Sequence, residues 1–198
     1  MRKSVFFVFA AALVAAVALI PVHAAAQAAA PAAGPTAPAA PMPEVGQPAP
    51  AFNLPSQDGS LVSLKSLHGQ WVVLYFYPRD MTQGCTIEAH KFQDSLADFK
   101  AKHAVILGVS VDSTASHVQF CTKDSLTFKL LSDTDHKVVE AYGSLGGRNG
   151  VSMANRNTFL IDPKGKIAKV WVGVKPPDSA SEVLAVLPDK GKTIKPGM

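Results

Sequence analysis

The chain has 198 residues, 47% of them hydrophobic and 17% charged, with a formal net charge of +4. One folded domain with a tail accounts for that length, and alanine at the N-terminus inflates the apolar share, so a multi-span membrane protein is not implied: no later apolar run reaches the ~18 residues a spanning helix needs. Two cysteines are too few for a disulfide scaffold and no His/Cys cluster carries zinc-ligand spacing, so neither a metal nor another cofactor is expected.

In chain order, Met1-Arg2-Lys3 is a short positive segment, Val5 to Ile20 an uninterrupted apolar one, and Pro21-Val22-His23-Ala24 a break followed by small residues. This pattern reads as a secretory signal peptide over 1–24, cleaved after Ala24. An uncleaved anchor helix is the alternative, although the apolar run is near the short limit for spanning. With no cysteine at the cleavage region, a lipoprotein anchor is disfavoured. Loss of Arg2 and Lys3 takes the net charge from +4 to +2, no footprint for nucleic acid. From Ala24 to Ala40 eleven of seventeen residues are alanine, so 25–43 reads as a disordered tether and the folded domain as 44–198, its core ending near Pro188. The expected location is outside the cytoplasm, in a bacterium the periplasm, with no stable membrane insertion once the leader is gone.

Trp71–Tyr77 and Val105–Val111 are continuous apolar, β-branched runs and predict strands buried on both faces. Between them, Ile87, Phe92, Leu96 and Phe99 recur at near-helical intervals, which predicts one amphipathic helix over 86–102 and a right-handed parallel unit. A helix over about 114–123, a short strand at 128–131 and a helix over 135–142 follow. Strands at 158–161 and 167–172 are joined by Asp162-Pro163-Lys164-Gly165, a tight-turn sequence. The expected class is α/β, a mixed central sheet flanked by helices.

Chemistry concentrates at the end of the first buried strand, in Pro78-Arg79-Asp80-Met81-Thr82-Gln83-Gly84-Cys85-Thr86. Cys85 stands where the chain leaves a strand and enters a helix, among unpaired N–H groups at the positive end of the dipole. Thiols so placed are acidified from ~8.5 towards ~3.5–7.5 and become nucleophiles at neutral pH. Thr82 can cap the helix or turn its hydroxyl into the site, and Gly84 allows a close approach. Spacing alone leaves Cys85 equally readable as a small buried hydrophobe.

These residues resemble a known family. Pro78-x-x-x-Thr82-x-x-Cys85 is similar to the active-site signature of the peroxiredoxins, and Tyr75-Phe76-Tyr77-Pro78 with Gly84-Cys85-Thr86-x-Glu88-Ala89 resembles the peroxiredoxin Q, or bacterioferritin comigratory protein, branch. Phe120-x-x-Lys123, Phe128-x-Leu130-Leu131-Ser132-Asp133 and Arg156-x-Thr158-Phe159-Leu160-Ile161-Asp162-x-x-Gly165 fall in family order, so the likeness covers nearly all of 44–188. It implies a thioredoxin-like fold and thiol-dependent reduction of hydrogen peroxide and alkyl hydroperoxides. It implies that Cys85 is the peroxidatic thiol, that Thr82 positions thiolate and peroxide, that Pro78 shields the intermediate and that Arg156 holds thiolate and substrate, with Arg79 and Glu88 assisting. A thioredoxin-like or other dithiol reductant and a monomeric state are the partners and assembly expected.

The sequence also departs from the pattern. Many members carry a resolving cysteine five residues after the peroxidatic one, where this chain has His90, and Gln83 replaces a frequent proline. The remaining cysteine, Cys121, falls on the later helix, where another subset of the branch places its resolving thiol, so the resemblance implies that Cys121 resolves. A one-cysteine peroxidase recycled by an external thiol stays open. So does a thioredoxin-fold copper module using Cys85, His90 and Cys121, although an offset of five turns His90 ~140° around the helix from Cys85. Cys-x-x-Cys is absent, which disfavours a disulfide reductase.

Overall fold

The computed structural model describes residues 41–148 and 150–189, so the expected leader, the tether over 25–40 and the last residues, 190–198, lie outside the described residues. The fold begins slightly before the expected boundary at 44. Met42 packs against the core, its backbone fitting over Gly143, where a Cβ would come within 2.7 Å of it.

β1 (Asn53–Pro55) and β2 (Leu61–Ser63) form an antiparallel hairpin and lead through a 3-10 turn, Leu64–Leu67, into β3 (Trp71–Phe76). Then come α1 (Gln83–Asp94), α2 (Leu96–Ala101), β4 (Ala104–Ser110), α3 (Thr114–Asp124), β5 (Lys129–Ser132) and α4 (Lys137–Ala141). A hairpin, β6 (Leu145–Arg148) with β7 (Val151–Ala154), precedes β8 (Asn157–Ile161), β9 (Ile167–Val172) and α5 (Ser179–Val186).

Five strands make the central sheet in the order β5-β4-β3-β8-β9. β3, β4 and β5 are parallel, while β8 and β9 run antiparallel to their neighbours, which is the mixed sheet expected. β3 is buried throughout, and its alternation divides the core. Trp71, Val73 and Tyr75 face Cys85, Ala89 and Phe92 of α1, Phe99 of α2, Phe120 of α3 and Val183 of α5. Val72, Leu74 and Phe76 face Leu54 and Val62 of the first hairpin, Val139 of α4 and Phe159 of β8. Phe92 stacks on Tyr75 with ring centroids 4.6 Å apart and fastens α1 to the sheet. Burying such a ring is worth about 1.5–3 kcal/mol.

Several expected elements are corrected. The single helix over 86–102 is two, because the chain leaves helical geometry at Ser95, whose amide closes α1 onto Lys91 and Gln93 carbonyls. The strand expected at 128–131 is shifted to Lys129–Ser132 by its pairing with β4. The helix expected over 135–142 starts later: His136 is left-handed, and the Asp133 carboxylate takes the Val139 amide at 2.7 Å. Both hairpins and α5 went unpredicted. Among the described residues no helix is long and apolar enough to cross a membrane.

Candidate active site

The strand-to-helix corner makes the site. β3 ends at Phe76, Pro78 follows half-buried, Met81 takes a left-handed conformation at φ 57°, and Thr82 opens α1 in an extended one. The first bond of the helix ladder runs from the Thr86 amide to the Thr82 carbonyl at 2.9 Å. The amides of Gln83, Gly84 and Cys85 therefore precede that ladder and point their partial positive charge at the corner. Cys85 sits there 1% exposed, as a free thiol.

Arg156 reaches this corner from the other side of the sheet order, one residue before β8. Its backbone is fixed where its carbonyl accepts the Val174 amide at 3.0 Å. Its Nη2 donates to Cys85 Sγ at 3.4 Å, and its Nη1 pairs with the Glu88 carboxylate. Gly84 permits the approach: a Cβ there would lie 3.3 Å from Arg156 Nη2. One guanidinium thus bridges the thiol and a buried acid, each through its own nitrogen, a geometry that fixes its plane. Burial works to lower the Arg156 pKa, but Glu88 and Cys85 beside it push it above its ordinary value.

Glu88 was expected only to assist, and the structure makes it the anchor of Arg156. It is 0% exposed, and burial pushes its carboxyl up to about 7 against the opposing pull of Arg156. Because the folded-state value lies above the ordinary 4.5, the native state keeps a proton that the unfolded chain has already released between those values. Stability from this group is therefore greatest below about pH 4.5 and declines as the pH rises to about 7, by roughly 3 kcal/mol at the upper bound. Urea unfolding at pH 5 and pH 8 checks this. Wild-type protein should lose more stability across the interval than Glu88→Gln, which has no proton to release, and parallel declines in the two proteins would contradict the assignment.

Of the two roles open to Thr82, a helix cap and a hydroxyl turned into the site, the first is not taken. Its hydroxyl makes no cap bond to the helix and instead donates to the Arg79 carbonyl at 3.0 Å, while the Arg79 side chain is exposed. The oxygen's lone pairs stay available to accept a bond. His90 is exposed, as its offset from Cys85 implies, and its Nε2 lies 3.1 Å from Asp124 Oδ1, tying α1 to the end of α3. Among the described residues no group of three or more His, Cys, Asp or Glu side chains is placed to hold a metal ion.

Cys121 lies apart from this constellation, half-buried in the last turn of α3, a free thiol like Cys85. Burial, with the charge of Asp80, pushes its thiol up to about 11. Both cysteines pack against the same core cluster, and both act electrostatically on Tyr75, whose hydroxyl is buried without a partner. Sequence reasoning brought together Cys85, Thr82, Pro78 and Arg156. It missed Asp80, His117 and Tyr77, a buried hydrogen-bonded cluster between the two cysteine helices. The available signal was positional, since Asp80 stands five residues before Cys85 and His117 four before Cys121.

Comparison with known proteins places this geometry. A family model described as the AhpC/TSA family matches residues 45–170. Peroxiredoxin Bcp of Bacillus subtilis is 43% identical over 150 residues, an alignment that covers 74% of this chain and 96% of the relative. Among solved structures, a cysteine-to-serine variant of PrxQ from Xylella fastidiosa superposes with a TM-score of 0.70 at 35% identity, covering 73% of this chain and 95% of that one. The Xanthomonas campestris bacterioferritin comigratory protein, studied for its alkyl peroxide reduction activity, superposes with a TM-score of 0.66 at 37% identity, covering 69% and 89%. With a thioredoxin-like sheet and a thiol at the start of its first helix, the chain belongs to the AhpC/TSA family, in its peroxiredoxin Q/Bcp branch, and is a thiol-dependent peroxidase.

Proposed function

We propose that Cys85 is the peroxidatic cysteine of an exported two-cysteine enzyme, that Cys121 resolves its sulfenic acid within the same monomer, and that a thioredoxin-like dithiol donor recycles the disulfide. The carrying observation is the Arg156 guanidinium, 3.4 Å from Cys85 Sγ and held there by a buried acid. A cation fixed beside sulfur favours the thiolate without reorganising during the reaction. The thiolate attacks one oxygen of hydrogen peroxide or an alkyl hydroperoxide, the O–O bond breaks, and alcohol or water departs, leaving Cys85 as sulfenic acid. Arg156 and the free amides at the start of α1 donate to the peroxide oxygens. Thr82, whose proton is committed to the Arg79 carbonyl, accepts from the hydroperoxide O–H. Pro78, half-buried at the mouth of the corner, limits the entry of water.

Export rests on the leader and its small-residue break, which set the mature start near Ala25. Mass spectrometry of the native protein, before and after one equivalent of peroxide, tests export and the Cys85–Cys121 link together. The expected masses are a chain lacking the leader, then a single Cys85–Cys121 link in that chain. A native protein that retains Met1 would refute export. Oxidised Cys85 beside a free Cys121 would refute resolution and favour the one-cysteine enzyme recycled by an external thiol.

A further inference from the structure

Among the described residues no hydrogen bond joins the buried Asp80–His117–Tyr77 cluster to Cys85, Thr82 or Arg156. Asp80 and His117 are 4% and 0% exposed. Asp80 Oδ2 lies 2.8 Å from His117 Nδ1, and Asp80 Oδ1 accepts from the Tyr77 hydroxyl at 2.7 Å. The loop carrying Asp80 is itself tied down: its amide donates to Asp112 Oδ2 at 2.9 Å, and the Ser110 hydroxyl donates to the same oxygen at 2.8 Å. A ring nitrogen facing a carboxylate carries a proton, so in the neutral form of the ring the lone pair falls on Nε2. That Nε2 is buried with no hydrogen-bond partner. Buried polar atoms are normally satisfied, so an acceptor left open one helical turn before a cysteine calls for a function.

His117 and Cys121 stand one turn apart on α3, the spacing that sets two side chains side by side. The tilt of Cα–Cβ bonds leans Cys121 back toward the turn that carries His117. The Asp80 charge is felt at the Cys121 thiol, so all three groups share one neighbourhood. His117 is also pinned from the Cys85 side, since its partner Asp80 lies on the loop that delivers Cys85. The imidazole is thus tied through α3 to Cys121 and through Asp80 to the loop before Cys85.

We propose that His117, oriented by Asp80, accepts the proton of Cys121 as that thiol attacks the Cys85 sulfenic acid. The inference rests on the reading of Cys121 as the resolving thiol. The electron pair of Cys121 Sγ forms the S–S bond while the S–O bond of Cys85 breaks, so Cys121 is oxidised, the sulfenic acid is reduced, and no outside oxidant enters. The proton passes to His117 Nε2 and from there to the departing hydroxyl, which leaves as water. Base assistance is needed because the Cys121 thiol, pushed up to about 11, is almost wholly protonated at neutral pH. The other titratable groups around the imidazole are Asp80, Tyr77, Asp112 through Asp80, and Tyr75, whose ring lies 5.5 Å from Tyr77. Both tyrosines have their pKa pushed well above 10 by burial and stay neutral throughout the range tested.

Rapid mixing with one equivalent of hydrogen peroxide, quenched by thiol alkylation and read by mass, resolves two phases: loss of the Cys85 thiol and appearance of the Cys85–Cys121 link. In wild type the rate of the second phase should reach a plateau below the thiol's own range, as general-base catalysis does once the base is deprotonated. Without a base it should climb ~10-fold per pH unit toward the thiol's own pKa. His117→Asn keeps a side-chain N–H for Asp80 but has no Nε2. Its ratio of second-phase to first-phase rate at pH 7 should fall ~10²-fold, and its profile should climb without levelling. An unchanged ratio, or a slower second phase with the wild-type profile, would overturn the proposal and reduce His117 to a structural role. Should the variant fail to fold, the wild-type profile alone decides, since a rate that climbs ~10-fold per unit with no plateau before the thiol's own range excludes the base. A wild-type protein that forms no Cys85–Cys121 link would overturn this proposal together with the two-cysteine reading, whereas a link that forms normally in His117→Asn would overturn this proposal alone.

Discussion

Cys85→Ser is expected to abolish peroxide-dependent turnover, because no other group in the corner can take its place as nucleophile. The other cysteine is on α3, with its thiol pushed up to about 11, and a serine hydroxyl at position 85 does not ionise at neutral pH. Arg156→Ala is expected to lower the rate constant for peroxide attack ~10²–10³-fold, the usual cost of removing one fixed donor from a site of developing charge. That substitution also leaves the Glu88 carboxyl, 0% exposed, without its hydrogen-bond partner, so a loss of stability will accompany the loss of rate. The double variant Arg156→Ala/Glu88→Gln separates the two effects. It should recover much of the stability and none of the rate, measured by urea unfolding and by peroxide consumption under single-turnover conditions. Peroxide consumption at the wild-type rate in Cys85→Ser would sink the assignment of the nucleophile, and a double variant that regains rate as well as stability would assign Arg156 a purely structural part.

How much of this site could be read in the sequence depends on how local each interaction is. The placement of Cys85 was legible because a buried strand, Trp71–Phe76, and a helix start, Gln83, are separated by a short loop, and such a junction fixes where an early helical residue lies. The role of Glu88 was only dimly legible. Its position one turn after Gly84 says nothing of Arg156, whose side chain arrives from 68 residues away. The Asp80–His117 contact, 37 residues apart, is likewise a product of the sheet order, because it needs β3 and β4 side by side before the loop beyond β3 can meet the helix beyond β4. Hairpins of three or four residues such as Leu145–Arg148 with Val151–Ala154 escape pattern reading, being too short and too rich in glycine to alternate. α5 is a different case. Ala180, Val183 and Leu187 recur at helical spacing after Asp178, so that signal was present and went unused.

Cys121→Ser is expected to complete one peroxide reduction, lose recycling by thioredoxin-type donors and over-oxidise more readily. On the two-cysteine reading proposed above, resolution is expected to require motion. A disulfide demands Cα atoms within about 7 Å, and the two thiols start in separate helices, α1 and α3, each free. The segment best suited to yield is the turn that closes α3 beyond Cys121, whose opening leaves the turn from His117 to Cys121 intact. It is closed by Ser125, a non-glycine residue in left-handed geometry at φ 53°, and the Cys121 carbonyl takes both the Ser125 and the Leu126 amides. Left-handed geometry costs a side-chain-bearing residue roughly 1–2 kcal/mol, so this turn gives back strain when it opens. Against opening stand the bridge from His90 to Asp124 and the paired bonds of Gln93 with Thr127, at 3.0 Å and 2.8 Å, which clasp α1 to the end of α3. Both clasps are exposed, so each holds weakly, and the opened turn would present the new disulfide to a dithiol donor that the closed corner excludes. The time spent opening leaves the sulfenic acid available to a second peroxide and to irreversible sulfinic oxidation. His90→Ala, which releases one clasp, should therefore speed disulfide formation and reduce over-oxidation, the reverse of Cys121→Ser. Undiminished donor-dependent turnover in Cys121→Ser, or over-oxidation no greater than in wild type, would overturn the two-cysteine cycle.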